Sequence, residues 1–111
     1  MIAIADYHAH VYFDAASRDA ALALRDRIAA VFAEAEIGRF HERPVGPHPR
    51  WSFQVAFSPA AFDRIVPWLM LHRGGLTVFL HPNTGDPYGD HADRAVWMGE
   101  LLPLNLDALR G

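Results

Sequence analysis

The chain has no cysteine, so no disulfide, thiolate nucleophile or sulfur-ligated metal can form, and any metal shell must be built from nitrogen and oxygen. Lysine is absent as well. All ten basic residues are arginine, which removes Schiff-base chemistry and a lysine general base. With a net charge of −3 the arginines form no diffuse cationic surface for a phosphate backbone, so nucleic acid is not an expected partner. No apolar run approaches the roughly 20 residues that cross a bilayer, so no membrane partner is expected either. The N-terminal stretch MIAIADYHAHVYFD has no basic lead-in and runs directly into a strand pattern. It does not resemble a signal peptide, and a cytoplasmic location is the expectation. The 111 residues suit a single domain over positions 1–111.

What the chain does have is histidine, seven in all. Two bracket the proline-rich stretch HERPVGPHP at 41–49. His8, His10 and His81 fall in strand-like segments instead. YHAHVYF alternates, with Tyr7, Ala9, Val11 and Phe13 on one face and His8, His10 and Tyr12 on the other. Ser17 is placed to cap a helix whose apolar positions include Ala21, Leu24, Ile28, Phe32 and Ala35, and Gly38 is expected to stop it. A second strand over residues 39–43 should give way to loop at Pro44, because proline donates nothing to a ladder. WSFQVAF is the third strand. A second helix follows Ser58-Pro59, with a kink or break expected at Pro67, and LTVFLH is the fourth strand. The remaining tail reads as turns with a short helix around residues 92–101.

The order β-α-β-β-α-β predicts an α+β, ferredoxin-like fold: a four-stranded antiparallel sheet in order 4-1-3-2, two helices on one face, and a short C-terminal extension. In that layout the first and fourth strands are neighbours, which brings His8, His10 and His81 together on the face away from the helices. Gln54, Arg39, His41 and Arg43 share that face by alternation, and Tyr12 and Phe79 can line an aromatic pocket there. An H-x-H pair spans about 7 Å along one strand face, and one ion can bridge it with a third ligand from a neighbouring strand. The same residues also suit an ordinary polar sheet face, solvated or dimer-facing, and His41 and His48 suit plain strand and loop positions. His72 belongs to a helix C-terminus, as a cap. Glu42, Asp86 and Asp90 are the carboxylates nearest the histidines in sequence, and any could complete a two-histidine, one-carboxylate set. Phe79, apolar on an open sheet, argues for a homodimer that covers it.

The segments HAHVYFD, GRFHERPVGPHPRWSFQVAF, WLMLHRGGLTVFLHPNTGD and DHADRAVWMGE resemble the DOPA 4,5-dioxygenase family, fungal-type and bacterial, from about Tyr7 to Leu101. The resemblance implies extradiol cleavage of a catechol such as L-DOPA, with a small aromatic substrate and O₂ as the partners. It also implies Fe(II) as cofactor, for which another divalent metal such as zinc can substitute in crystals. His8, His10, His41, His48, His81 and His91 match family segments. Within that set His8, His10 and His81 are expected on the metal, and His48 and His41 as acid/base groups. Arg43 is expected to receive a substrate carboxylate, with Tyr12 and Gln54 also contacting substrate. HERPVGPHP, stiffened at the Tyr12 end of the first strand, should then handle substrate and protons rather than metal. Two alternatives stand beside this: a metal-free catalyst, and a non-catalytic small-molecule-binding dimer of ferredoxin-like fold.

Overall fold

The computed structural model describes residues 2–110. Its central sheet contains β1 (Asp6–Phe13), β2 (Glu36–Ile37), β3 (Trp51–Phe57), β4 (Thr77–Asn83) and β5 (Val96–Met98). All neighbours are antiparallel, in the order β2-β3-β1-β4-β5. The expected 4-1-3-2 order is therefore present, but a fifth strand extends it beyond the four of a ferredoxin-like layout. Helices α1 (Arg18–Val31) and α2 (Phe62–His72) pack on one face, and the short α3 (Pro87–His91) follows β4. No helix among the described residues is long and apolar enough to cross a membrane.

Alternation explains the layering. Ala9 and Val11 of β1, Phe53 and Val55 of β3, and Val78 and Leu80 of β4 point to the helices. There they meet Leu24 and Ile28 of α1 and Ile65 and Leu69 of α2, all buried. Each side chain of that size withdrawn from water contributes about 1.5–3 kcal/mol, so this face holds the sheet and both helices together. The opposite face has a second, smaller core. Tyr12, Phe79 and Leu102 are buried there, with Trp97 and Leu104 packed against them.

That second core corrects the expectation of an open sheet. Phe79 is fully buried by its own chain, 4.5 Å from the Trp97 ring and 5.8 Å from His91, which removes the argument for dimerisation through this face. The segment expected to be helical around residues 92–101 is instead β5, whose alternation sends Trp97 to Phe79 and Met98 to the main core. The helix in the tail comes earlier. Pro87 at its first turn and Asp86, whose side chain accepts from Gly89 N–H at 3.1 Å, start it.

Two further differences concern the second strand and Pro67. α1 ends at Val31 rather than near Gly38, because Glu36 and Ile37 pair with Ala56 and Val55. Gly38 continues that approach, with its N–H donating to Gln54 O at 2.7 Å. Of the stretch 39–43 only His41 bridges to the sheet, opposite Ser52. α2 runs unbroken through Pro67. Pro67 lies on the exposed side, where water can satisfy the carbonyl one turn back that the proline leaves without an N–H donor.

Candidate metal centre

Register sets the site. His8 stands directly opposite His81, and His10 lies between Gln54 on one side and Phe79 on the other. Nitrogen atoms of His8, His10 and His81 all lie within 4.8 Å of one another. His10 Nε2 and His81 Nε2 are 3.0 Å apart. His81 Nδ1 faces the Pro82 carbonyl at 2.9 Å; a carbonyl only accepts, so Nδ1 carries the proton and Nε2 presents a lone pair. Two imidazole nitrogens about 2.1 Å from a shared ion at a right angle stand about 3 Å apart, so the observed spacing fits a ligand pair. The donor set is all imidazole, which suits a borderline divalent transition metal better than calcium or magnesium.

No carboxylate joins the three imidazoles in this group among the described residues. Glu42 pairs with Arg18 at 2.8 Å on the surface. Asp86 is the α3 cap and also meets Arg94 at 3.2 Å. Asp90 is buried and accepts from Thr84 N–H at 2.8 Å, Thr84 O–H at 2.7 Å and Arg94 Nη1 at 3.0 Å. Burial alone would raise the Asp90 pKa, but these donors hold it below the ordinary carboxylate value. The carboxylate that does approach the cluster is Asp6, with Oδ2 4.0 Å from His8 Nε2 and Oδ1 accepting from Asn83 at 2.9 Å.

Two more histidines close the site. The His48 ring packs 4.2 Å from that of His10, and the His91 ring 3.9 Å from that of His81. Loss of solvation lowers the pKa of His8, His10, His48 and His81, and repulsion between neighbouring imidazoles adds to the effect. His48 and His81 fall to about 4, and His10 well below its ordinary value. All four are neutral near pH 7, the state in which imidazole ligates metal.

Tyr12 is buried, and its hydroxyl lies 2.5 Å from His48 Nδ1. Gln54 and the half-buried His41 line a cavity of about 70 Å³ with His10, Val45, His48 and Ser52. Arg43 sits on an exposed bend and is not among the residues lining that cavity. Larger cavities of about 290 and 390 Å³ lie elsewhere, one between α1 and the end of α2, the other beside Ile4, Tyr7 and Val96. Neither contains a cluster histidine. His72 caps α2 as expected, with Nδ1–H donating to Trp68 O at 2.7 Å.

In the sequence His91 matches a family segment with no role attached, and Asp6 is not singled out. The signal for His91 was the Asp86-Pro87 helix start, which places His91 one turn later. The signal for Asp6 was the alternation of β1, which runs two residues further back along the histidine face.

Comparison with known proteins bears on the family of the chain. The model of the Dopa 4,5-dioxygenase family matches residues 7–108. An uncharacterized 21.2 kDa protein of Botryotinia fuckeliana is 40% identical over 94% of this chain and 63% of its own length. A DOPA 4,5-dioxygenase of Amanita muscaria is 34% identical over 93% of this chain and 49% of its own length. This chain thus spans about half to two-thirds of those curated relatives. The crystal structure of a candidate dioxygenase from Nostoc punctiforme superposes with a TM-score of 0.94 at 53% identity, covering 96% of this chain and 92% of that one. The chain belongs to the DOPA 4,5-dioxygenase family.

Proposed function

We propose that this chain is an extradiol dioxygenase that opens the ring of a catechol such as L-DOPA with O₂, using Fe(II) held by His8, His10 and His81. The observation that carries the reading is the convergence of three neutral imidazoles within 4.8 Å on the sheet face opposite the helices. Such an ion would supply a common meeting point for catechol and O₂, across which electron density passes from ring to oxygen.

The chain's own residues would bind the substrate, orient it and move its protons. His48 and His41, which line the cavity beside His10, would form the hydrogen-bonding side of the site. Gln54 offers an amide to a substrate oxygen. Tyr12, expected to contact substrate, is buried with its hydroxyl engaged by His48, and would act through that ring instead. Arg43, on the exposed bend after His41, would swing in to take the carboxylate of an amino-acid substrate such as L-DOPA. The cavity of about 70 Å³ is too small for a catechol, being close to the liquid volume of two waters. The cavity would therefore have to widen on substrate entry, and the buried aromatic wall of Phe79 and Trp97 would keep bulk water from the reacting ring.

The test is ring cleavage by protein loaded anaerobically with Fe(II). One iron per chain, together with a ring-opened product from L-DOPA or a simpler catechol carrying both atoms of ¹⁸O₂, is the expected result. Iron-loaded protein that opens no catechol, or that works equally well with His8 and His81 replaced by alanine, refutes the proposal.

A further inference from the structure

Resting on that reading, we infer that the two histidines flanking the metal ligands are locked in opposite tautomers. His48 is a fixed Nε2–H donor set by Tyr12, and His91 is a fixed Nε2 acceptor set by the Pro87 carbonyl. His91 rather than His48 is then the group that receives a substrate proton, and Tyr12 is a positioning residue.

The argument begins with what each Nδ1 faces. His91 Nδ1 lies 2.7 Å from Pro87 O, and a carbonyl has no proton to give, so His91 carries its proton on Nδ1 and keeps the Nε2 lone pair. His48 Nδ1 lies 2.5 Å from the Tyr12 hydroxyl, where either partner could donate in principle. Burial decides between them. Tyr12 is 1% exposed, and a phenol buried in that way keeps its proton. If His48 Nδ1–H donated to the phenol oxygen, the phenol's own proton would be stranded in an apolar pocket beside Phe79 and Leu102. An unmade bond of that kind costs about 1–3 kcal/mol. Tyr12 O–H therefore donates to Nδ1, and the proton of neutral His48 sits on Nε2.

Neither Nε2 has a hydrogen-bond partner among the described residues. Among the described residues Arg25 Nε is the buried side-chain nitrogen or oxygen left without a partner, so Nε2 of His48 and of His91 is not sealed inside the protein. Each ring is also held in place. Asn105 N–H donates to Pro47 O at 2.8 Å and His48 N–H to Val45 O at 3.1 Å, which fixes the loop. The Asp90, Thr84 and Arg94 bonds fix α3 immediately before His91.

The consequence for proton flow follows from balance. When a substrate hydroxyl loses its proton, an O–H bond breaks and an N–H bond forms at His91 Nε2, leaving an imidazolium and an oxyanion. His48 cannot take that proton at Nε2, which already bears one. It stabilises the oxyanion by donating a hydrogen bond as a neutral imidazole. For His48 to give its proton away outright, Tyr12 would have to become a buried phenolate.

Ring ¹⁵N spectra of the metal-free protein near neutral pH test this directly. They use two-bond ¹H–¹⁵N correlations, with His48→Gln and His91→Gln supplying the assignments. The expected pattern is an unprotonated Nδ1 and protonated Nε2 for His48, and the reverse for His91. In Tyr12→Phe the His48 pattern should collapse to a tautomer mixture while that of His91 stays unchanged. A protonated His48 Nδ1 or a protonated His91 Nε2 in the parent protein overturns the inference, as does a Tyr12→Phe protein with the parent His48 pattern. In the iron-loaded enzyme, His91→Gln should lower kcat by about 100-fold or more, with anaerobic catechol binding changed less than about threefold. A parent-like kcat would overturn the proton-acceptor role. Correct tautomers in a protein that opens no catechol ring would refute the dioxygenase reading and leave the donor and acceptor assignment standing.

Discussion

Acidification should unfold the metal-free protein in a window set by its buried imidazoles. An unfolded histidine titrates near 6.5, whereas His48 and His81 in the fold titrate at about 4 and His10 well below its ordinary value. Between those limits the unfolded chain binds more protons, so the stability conferred by the neutral rings is complete above about pH 6.5 and drains away as the pH falls toward 4. At about pH 5.5 all three folded rings are still neutral, so the loss depends on the unfolded value alone. It is about 1.4 kcal/mol per ring, or about 4 kcal/mol for three, from a total of 5–15 kcal/mol typical of such a domain. Urea unfolding with chelator present, at about pH 7.5 and about pH 5.5, measures it. At an m value of about 2 kcal/mol per molar the midpoint should drop by about 2 M. His48→Gln should remove about a third of that pH dependence, whatever it does to stability itself. Equal unfolding free energies at the two pH values would refute the claim that these rings are buried neutral.

The ligand assignment makes a second expectation: titration calorimetry with Zn²⁺ or Co²⁺ should give one site per chain. His10→Ala or His81→Ala should weaken that site by at least about 100-fold. Phe79→Ala should cost about 3–5 kcal/mol in urea unfolding, the full penalty of a buried aromatic, because the second core encloses it. A cost below about 1 kcal/mol would mean that the C-terminal segment does not cover it. Asp90→Asn should loosen the segment by removing the charged acceptor shared by Thr84 and Arg94, with faster hydrogen exchange confined to residues 84–94.

Much of this arrangement was legible in the sequence, for a physical reason. Alternation in YHAHVYF, WSFQVAF and LTVFLH fixes which side chains share a face, and pairing of the first strand with the fourth then follows from the order of elements. His8, His10 and His81 come together from those two steps alone. The tail did not yield, because Ala95 to Leu102 has too few residues per element for periodicity to separate strand from helix. Its state is decided by β4, which offers a free edge to β5. The second strand slipped for a related cause: Phe32 and Ala35 fit a helical stripe, yet they pack against the same core from a turn. His91 and the Tyr12–His48 bond depend on loop conformations that no spacing rule encodes.

The separation of the ligands along the chain has a consequence for when the site exists at all. His8 and His10 are made first, and the third imidazole lies 71 residues beyond His10. Closing a loop of that length has an entropic cost that an ion cannot meet without the β1–β4 ladder already zipped. During synthesis the early pair would be only a weak two-point chelate, and tight metal uptake by the proposed site would wait until β4 has joined the sheet. Metal loading of the proposed site would therefore report a completed fold, and a chain stalled before His81 would release whatever ion it had picked up.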